Sequence, residues 1–191
     1  MIELVLSIQN PHSGVAYGPG EGLKSMKENT IFEKVMHFLI HNSFLVTMAV
    51  MGAVHVTLLV IMILAEVAPL ISFNILSVVV YLFCVVLCKF GHMLPVYVSL
   101  IIEVTVYTVL SVYYIGWNCG SWCFLVSIVP IIIFFGCFIF SGDRRWTIVF
   151  MLVLNFAVYM ITYLKFDGVQ PVYTVSQVIR DVLILFSSFV M

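Results

Sequence analysis

The most constraining feature of this sequence is a series of long apolar runs separated by short polar or helix-breaking segments. Five runs are complete: 43–65, 70–88, 94–115, 120–140 and 146–164. A sixth run begins near residues 173–178 and is still apolar at Met191. A helix needs about 20 mostly apolar residues to cross a bilayer, whereas barrel strands alternate apolar and polar positions, which these runs do not. The pattern predicts an all-α polytopic membrane bundle of six transmembrane helices, the sixth truncated.

The composition excludes an ordinary soluble protein. Hydrophobic residues make up 63% of the chain and charged residues 9%, against roughly 45–50% and about 25% in soluble domains. Lys and Arg number eight and Asp and Glu nine, so there is no basic excess for a nucleic-acid partner. The partner that the composition predicts is the lipid bilayer.

The distribution of basic residues predicts the orientation. The segment before the first run contains Lys24, Lys27 and Lys34, the loop after the second contains Lys89, and the loop after the fourth contains Arg144 and Arg145. The alternate loops are poor in basic residues: those near 66–69 and 117–119 have no Lys or Arg, and the loop after the fifth run has Lys165 alone. Because cytoplasmic loops are enriched in Lys and Arg, we expect the N-terminus in the cytoplasm.

The two ends of the chain suggest its domain organisation. Residues 1–41 are expected to form a cytoplasmic arm and residues 42–191 the transmembrane domain. Residues 1–25 are either an upstream extension from a mis-assigned start codon or a disordered arm. Because the last apolar run has no charged residue closing it, we expect the chain to be the front part of a longer protein.

Ionisable and amide side chains inside the apolar runs are the first candidates for function, because burying them in hydrocarbon is costly unless they are paired. His55, Glu103 and Asn155 lie midway along the first, third and fifth runs. His55 and Glu103 are expected at similar depth and form a candidate hydrogen-bonded pair. Such a pair either fixes helix packing alone or senses a ligand or proton, since a histidine beside a carboxylate can titrate near neutral pH.

A second group of polar and aromatic residues is predicted at the outer face. It is either an interfacial aromatic belt or a shallow pocket for an unknown small-molecule or lipid signal. Its members are Glu66, Asn74, Trp117, Asn118, Trp122, Arg180 and Asp181.

No motif predicts a catalytic, metal or cofactor site. Two pairs of the five cysteines have i,i+4 spacing, which is not the C-x-x-C of zinc or redox sites, and packing is the favoured interpretation. His37 and His41 are also spaced i,i+4, but no further side chain that could complete a haem or metal site with them is evident. Pro130 predicts a kink in the fourth helix, and Ala49, Gly52 and Ala53 predict close helix packing. The chain itself is not expected to be an enzyme.

Three segments, in order, resemble a known bacterial membrane region. The first is 66–81, of which 69–81 read P-L-x-x-F-N-x-x-S-x-x-x-Y, and the second is 103–107, which begins with Glu103. The third is G-W-x-x-G at 116–120, which leads to 130–135. Together they resemble the six-helix region found ahead of GGDEF-type diguanylate cyclase domains and sometimes ahead of adenylate cyclase domains, over residues 30–191. The resemblance implies a sensory or anchoring module in a bacterial inner membrane. It also implies that the module dimerises and controls cyclic di-GMP synthesis by a domain after the sixth helix.

The sequence departs from that pattern at three places. Asn118 stands where the family often has Asp, Ser121 and Trp122 stand where it has Phe, and Tyr107 stands where it often has His. Any signal bound by these groups is therefore expected to differ here.

Two other functions fit the same six-helix format. One is the substrate-binding subunit of an energy-coupling-factor vitamin transporter, in which small residues of an early helix such as Ala49 and Ala53 dock on a partner. The other is a purely structural membrane anchor.

Overall fold

Helices account for all the regular secondary structure that the chain shows where it is described. The computed structural model describes residues 21–140 and 145–190, with side chains at residue 38 and from residue 42 onward. There is no strand in these ranges, so the predicted all-α class is confirmed. The elements are α1 (Glu21–Leu64), α2 (Ala68–Lys89), α3 (Met93–Ile115), a 3-10 turn (Trp117–Cys119), α4 (Cys123–Ile139), α5 (Trp146–Phe166) and α6 (Gln177–Val190).

Four helical segments are long and apolar enough to cross a membrane: Asn42–Leu64, Ala68–Lys89, Met93–Ile115 and Trp146–Phe166. Each agrees within two residues with a predicted run. Helices satisfy their backbone hydrogen bonds internally, which hydrocarbon demands. The same segments leave bulky apolar side chains such as Leu82, Phe83 and Phe150 more than half exposed. An apolar surface of this kind is more stable in contact with lipid than with water, and it therefore supports the prediction of a membrane protein.

The fourth and sixth helices are shorter than their predicted runs. Helix α4 has 17 residues instead of the 21 positions of 120–140, because residues 117–119 form the 3-10 turn and Gly120 adopts a left-handed φ of 75°. Helix α6 has 14 residues and begins at Gln177. At 1.5 Å per residue these helices are about 26 Å and about 21 Å long.

Glycines 116 and 120 let the loop between α3 and α4 pack tightly. Both have positive φ, and a Cβ at Gly120 would lie 3.3 Å from the Cα of Ile184 in α6. A Cβ at Gly116 would lie 3.3 Å from Pro171. This loop therefore contacts both α6 and the segment that precedes it, and the three together form one end of the bundle.

Inter-residue contacts divide the chain into two compact units, residues 1–39 and Ile40–Met191, and every site below lies in the second. The core of this second unit includes Leu58, Leu100, Ile128 and Leu183, all about 1% exposed or less. The first 20 residues of the predicted extension 1–25 lie outside the described residues, as do the side chains of His37 and His41.

Candidate functional site

The structure brings His55 of α1 and Glu103 of α3 together in the middle of the bundle. His55 Nε2 lies 3.2 Å from Glu103 Oε1, and the two side chains are 2% and 7% exposed. Burial of a lone charge in hydrocarbon is strongly unfavourable, whereas a paired and hydrogen-bonded one is tolerated. The contact therefore accounts for an ionisable residue on each of two otherwise apolar helices.

Helix α2 supplies the remaining hydrogen bonds to this pair. The Ser77 hydroxyl donates to Glu103 Oε1 and the Tyr81 hydroxyl donates to Oε2, both at 2.5 Å. Asn74 Oδ1 lies 2.9 Å from His55 Nδ1. Residues 74, 77 and 81 are separated by three and four positions, so they lie on one face of α2. We call His55, Asn74, Ser77, Tyr81 and Glu103 the buried network.

The chemistry of Asn74 fixes the tautomer of His55. Asn74 Nδ2 donates to the Leu70 carbonyl at 2.8 Å, and a carbonyl only accepts, so Asn74 Oδ1 must face the imidazole. An amide oxygen also only accepts, so His55 Nδ1 must carry a hydrogen. The imidazole nitrogen Nε2 and the Glu103 carboxyl then hold one proton between them, either as imidazolium with carboxylate or as two neutral groups.

Aromatic rings enclose the buried network. The Tyr81 ring stacks on His55 with centroids 5.3 Å apart, and Tyr107 meets His55 edge-on at 5.1 Å. Phe73 and Phe124 pack against Tyr107 with centroids 5.9 Å apart. The rings lower the local dielectric, which strengthens each hydrogen bond within the network.

The structure does not bring the predicted outer group together in one place. Trp117, Asn118 and Arg180 line a cavity of about 450 Å³ at the end of α3, together with residues of 166–175. We call it the outer cavity. Asn74 is fully buried in the network instead, because its position in α2 turns it toward His55. Glu66 and Asp181 are exposed and do not line the cavity.

Trp122, the remaining member of the outer group, belongs to an aromatic cluster beside the cavity. Its ring is stacked on Trp117 with centroids 5.7 Å apart and an interplanar angle of 9°. Tyr159 and Tyr163 of α5 meet Trp117 edge-on at 5.7 and 5.2 Å. The cluster joins the loop before α4 to the end of α5, and Trp117 is its member that lines the outer cavity.

The charge of Arg180 is not neutralised by an ion pair in the described part of the chain, where the His55–Glu103 contact is the salt bridge found. Arg180 is half-buried in the first turn of α6, and Asn118, which also lines the cavity, is exposed. The outer cavity thus combines a guanidinium, an amide and an indole wall, which are groups that bind small polar organic molecules.

Asn155 lies apart from the buried network. Its Nδ2 donates to the Leu125 carbonyl at 2.9 Å and ties α5 to α4. Its Oδ1 is buried and has no hydrogen-bond partner among the described residues. The prediction that Asn155 is an intramembrane polar site therefore concerns a different helix pair from His55 and Glu103.

The described residues contain no group of three or more His, Cys, Asp or Glu side chains placed to hold a metal ion. The five cysteines are free, and four of them are buried. Cys119 Sγ donates to the Ile115 carbonyl at 3.0 Å. The contacts of Cys119 are those of a packing residue.

Ser77 and Tyr81 are not among the predicted site residues, although both lie in the motif of residues 69–81, and Tyr107 enters the prediction only as a departure from the family pattern. Their helical spacing was present in the sequence, since 74, 77 and 81 recur at three and four positions on a helix otherwise rich in Val and Leu. A search for polar side chains sharing one face of an apolar helix would have found Ser77 and Tyr81 with Asn74.

No protein-family model matches this chain, and neither a curated protein nor a solved structure is found to match it.

Proposed function

We propose that this chain is the membrane-embedded sensory and anchoring part of a bacterial signalling protein, and that the output it controls is a diguanylate cyclase domain. In this proposal six helices cross the inner membrane with the N-terminus in the cytoplasm, and two copies pair through their membrane helices. One observation carries it. The segments that resemble the cyclase-associated region, 69–81 and 103–107, supply Asn74, Ser77, Tyr81 and Glu103, which meet around His55.

The buried network suits a switch because it joins three helices through one shared proton. A change in the position of α1, α2 or α3 alters at least one hydrogen bond of His55 or Glu103. Since unpaired charge is so unfavourable in hydrocarbon, the network favours discrete helix arrangements over a continuous range. A signal that binds one arrangement better than another then shifts their populations.

The outer cavity is the proposed entry point for the signal. Ile115 and Gly116 at the end of α3 line it, and Glu103 lies twelve residues earlier on the same helix, about 18 Å away at 1.5 Å per residue. Arg180 brings α6 into the same cavity. A ligand there contacts both the helix of the buried network and the helix that leads to the proposed output domain.

Replacing Glu103 by Gln tests this function in a fusion of the chain to a diguanylate cyclase domain. Gln has the shape of Glu but cannot share a proton with His55 Nε2, so we expect cyclic di-GMP output to change by about fivefold or more, with membrane insertion unchanged. The matched control is Thr108→Val, because Thr108 is buried on the same helix and donates only to its own helix at Val104. Equal output from wild type and Glu103→Gln, with an unchanged response to added signal, would remove the switching role.

The outer cavity also favours a second candidate, the substrate-binding subunit of an energy-coupling-factor vitamin transporter. Its volume of about 450 Å³ is within the usual range of small-molecule sites. Native mass spectrometry of the purified chain distinguishes the two: a tightly bound vitamin supports the transporter. If neither Glu103→Gln nor Arg180→Gln alters any output and no ligand is found, the chain is a structural anchor.

A further inference from the structure

A groove between α4 and α5 is lined by Asn155, whose buried side-chain oxygen has no hydrogen-bond partner in the described part of the chain. The groove has a volume of about 270 Å³ and is lined by Leu125, Val126, Leu152, Asn155 and Tyr159, among others. Asn155 is only 6% exposed, and its Oδ1 has no hydrogen-bond partner in the described part of the chain. In hydrocarbon an unsatisfied polar group is unfavourable because no water is present to pair with it.

The orientation of the Asn155 amide follows from its other contact. Nδ2 donates to the Leu125 carbonyl at 2.9 Å, and exchanging the two ends of the amide would place two acceptors together. The oxygen is therefore the free end, and the group that completes the site must be a donor.

Pro130 leaves a second acceptor without its helical donor, in a residue that lines the groove. A proline has no N–H to donate to the carbonyl four residues earlier in a helix, and Pro130 lies inside α4. The carbonyl deprived in this way is that of Val126, a residue that lines the groove and is 40% exposed. Two unsatisfied acceptors in groove-lining residues, within an otherwise apolar lining, favour an apolar molecule that has a hydroxyl group.

We propose that this groove binds an amphipathic alcohol dissolved in the bilayer, with its hydroxyl donating to Asn155 Oδ1 and its hydrocarbon chain lying against α4 and α5. The occupant enters from the lipid, because Phe156 on the groove is 63% exposed and α5 is one of the helices long and apolar enough to cross a membrane. The proposal stands on Asn155 and Pro130, and it does not depend on the function of the buried network.

The probe for this site is hexadecan-1-ol that carries a diazirine and an alkyne, added to the full chain in lipid nanodiscs. Photolabelling is expected on α4 or α5 and is displaced by unlabelled hexadecan-1-ol. The matched control is the methyl ether of the same probe, which has the same chain but no hydroxyl to donate. Its labelling is expected to be roughly fivefold to tenfold weaker, as the loss of one hydrogen bond implies.

Three variants test the residues. Asn155→Leu removes the acceptor and Leu152→Trp fills the groove, and both are expected to weaken labelling by the alcohol probe to the level of the methyl ether. Val153→Trp is the matched control, since Val153 is on the same helix, is 61% exposed and does not line the groove; labelling is expected to be unchanged. Because the comparison of alcohol and ether uses the wild-type chain, it stays decisive even if a variant fails to fold.

Equal labelling by the alcohol and its ether overturns the proposal, as does labelling that unlabelled hexadecan-1-ol does not displace. Loss of a dimer in Asn155→Leu with unchanged labelling also overturns it, because a side chain of a second copy then fills the groove. Competition by dioleoylglycerol or by farnesol supports the proposal, and assigns the alcohol to the glycerolipids or to the isoprenoids.

Discussion

At the scale of single residues, the buried network depends on groups that each make a specific hydrogen bond. Glu103 accepts from Ser77 and Tyr81 while it contacts His55, so both carboxyl oxygens are satisfied. His55 uses its second nitrogen on Asn74. A network whose members are all satisfied stabilises one arrangement, and removal of one member leaves a buried group without its partner.

Tyr81→Phe measures the stability that one such bond contributes. The ring and its stacking on His55 are kept while Glu103 Oε2 loses its donor, so we expect a loss of about 1–3 kcal/mol in the free energy of unfolding. The measurement is thermal or denaturant unfolding in detergent micelles. The control is Tyr113→Phe, since Tyr113 is 46% exposed and is expected to give a change below about 0.5 kcal/mol. Equal effects of the two substitutions would show that the Tyr81 hydroxyl contributes nothing.

At the scale of helices, close packing occurs at a glycine that the sequence reading did not select. Ala49 and Ala53 are exposed, and a Cβ on Gly52 would meet only the Tyr81 Cβ at 3.7 Å. Gly136 of α4 is different, because a Cβ there would lie 3.0 Å from both Ile148 Cγ1 and the Tyr97 hydroxyl. The tight crossing is thus that of α4 with α5 and α3.

Gly136→Ala and Gly52→Ala form a matched pair that tests this crossing. Both place a methyl group on a helix, but only at Gly136 must neighbours move, and Tyr97 is held there by its bond to the Ile132 carbonyl at 3.0 Å. We expect Gly136→Ala to lower the free energy of unfolding by about 1–3 kcal/mol, and Gly52→Ala to be neutral or to raise it by up to about 1 kcal/mol. Unfolding of both variants under one condition checks the difference. A stable Gly136→Ala would mean that α4 and α5 adjust freely.

At the scale of the whole molecule, the proposed orientation places the loop of Asn118 outside the cell and the turn of His92 inside. Both side chains are exposed. We expect Asn118→Cys to react with a membrane-impermeant maleimide on intact cells, and His92→Cys to react only after the membrane is permeabilised.

The wild-type chain is the background control for this labelling. Cys119 is buried, and burial raises the pKa of its thiol while nearby Arg180 acts in the opposite direction, so the thiol stays protonated and reacts slowly. Labelling of His92→Cys on intact cells, with Asn118→Cys protected, would reverse the orientation.

The positions of the long helices and two central candidates, His55 and Glu103, could be read from the sequence. An apolar run long enough to cross a bilayer has few alternatives to a helix, and an ionisable residue within it needs a partner at the same depth. The partners supplied by α2 were harder to find. Single Ser, Asn and Tyr residues are common in apolar helices, and their roles depend on which face meets a neighbour.

The sequence by itself determined the helical class, the long apolar helices and the presence of polar groups within them, because these follow from local composition. Only the tertiary structure decided that Asn74 belongs with His55, that Asn155 lies on another helix pair, and that Arg180 lines the outer cavity. The residue number fixes how deep a side chain lies along its helix, but which groups the side chain contacts depends on how the neighbouring helices pack.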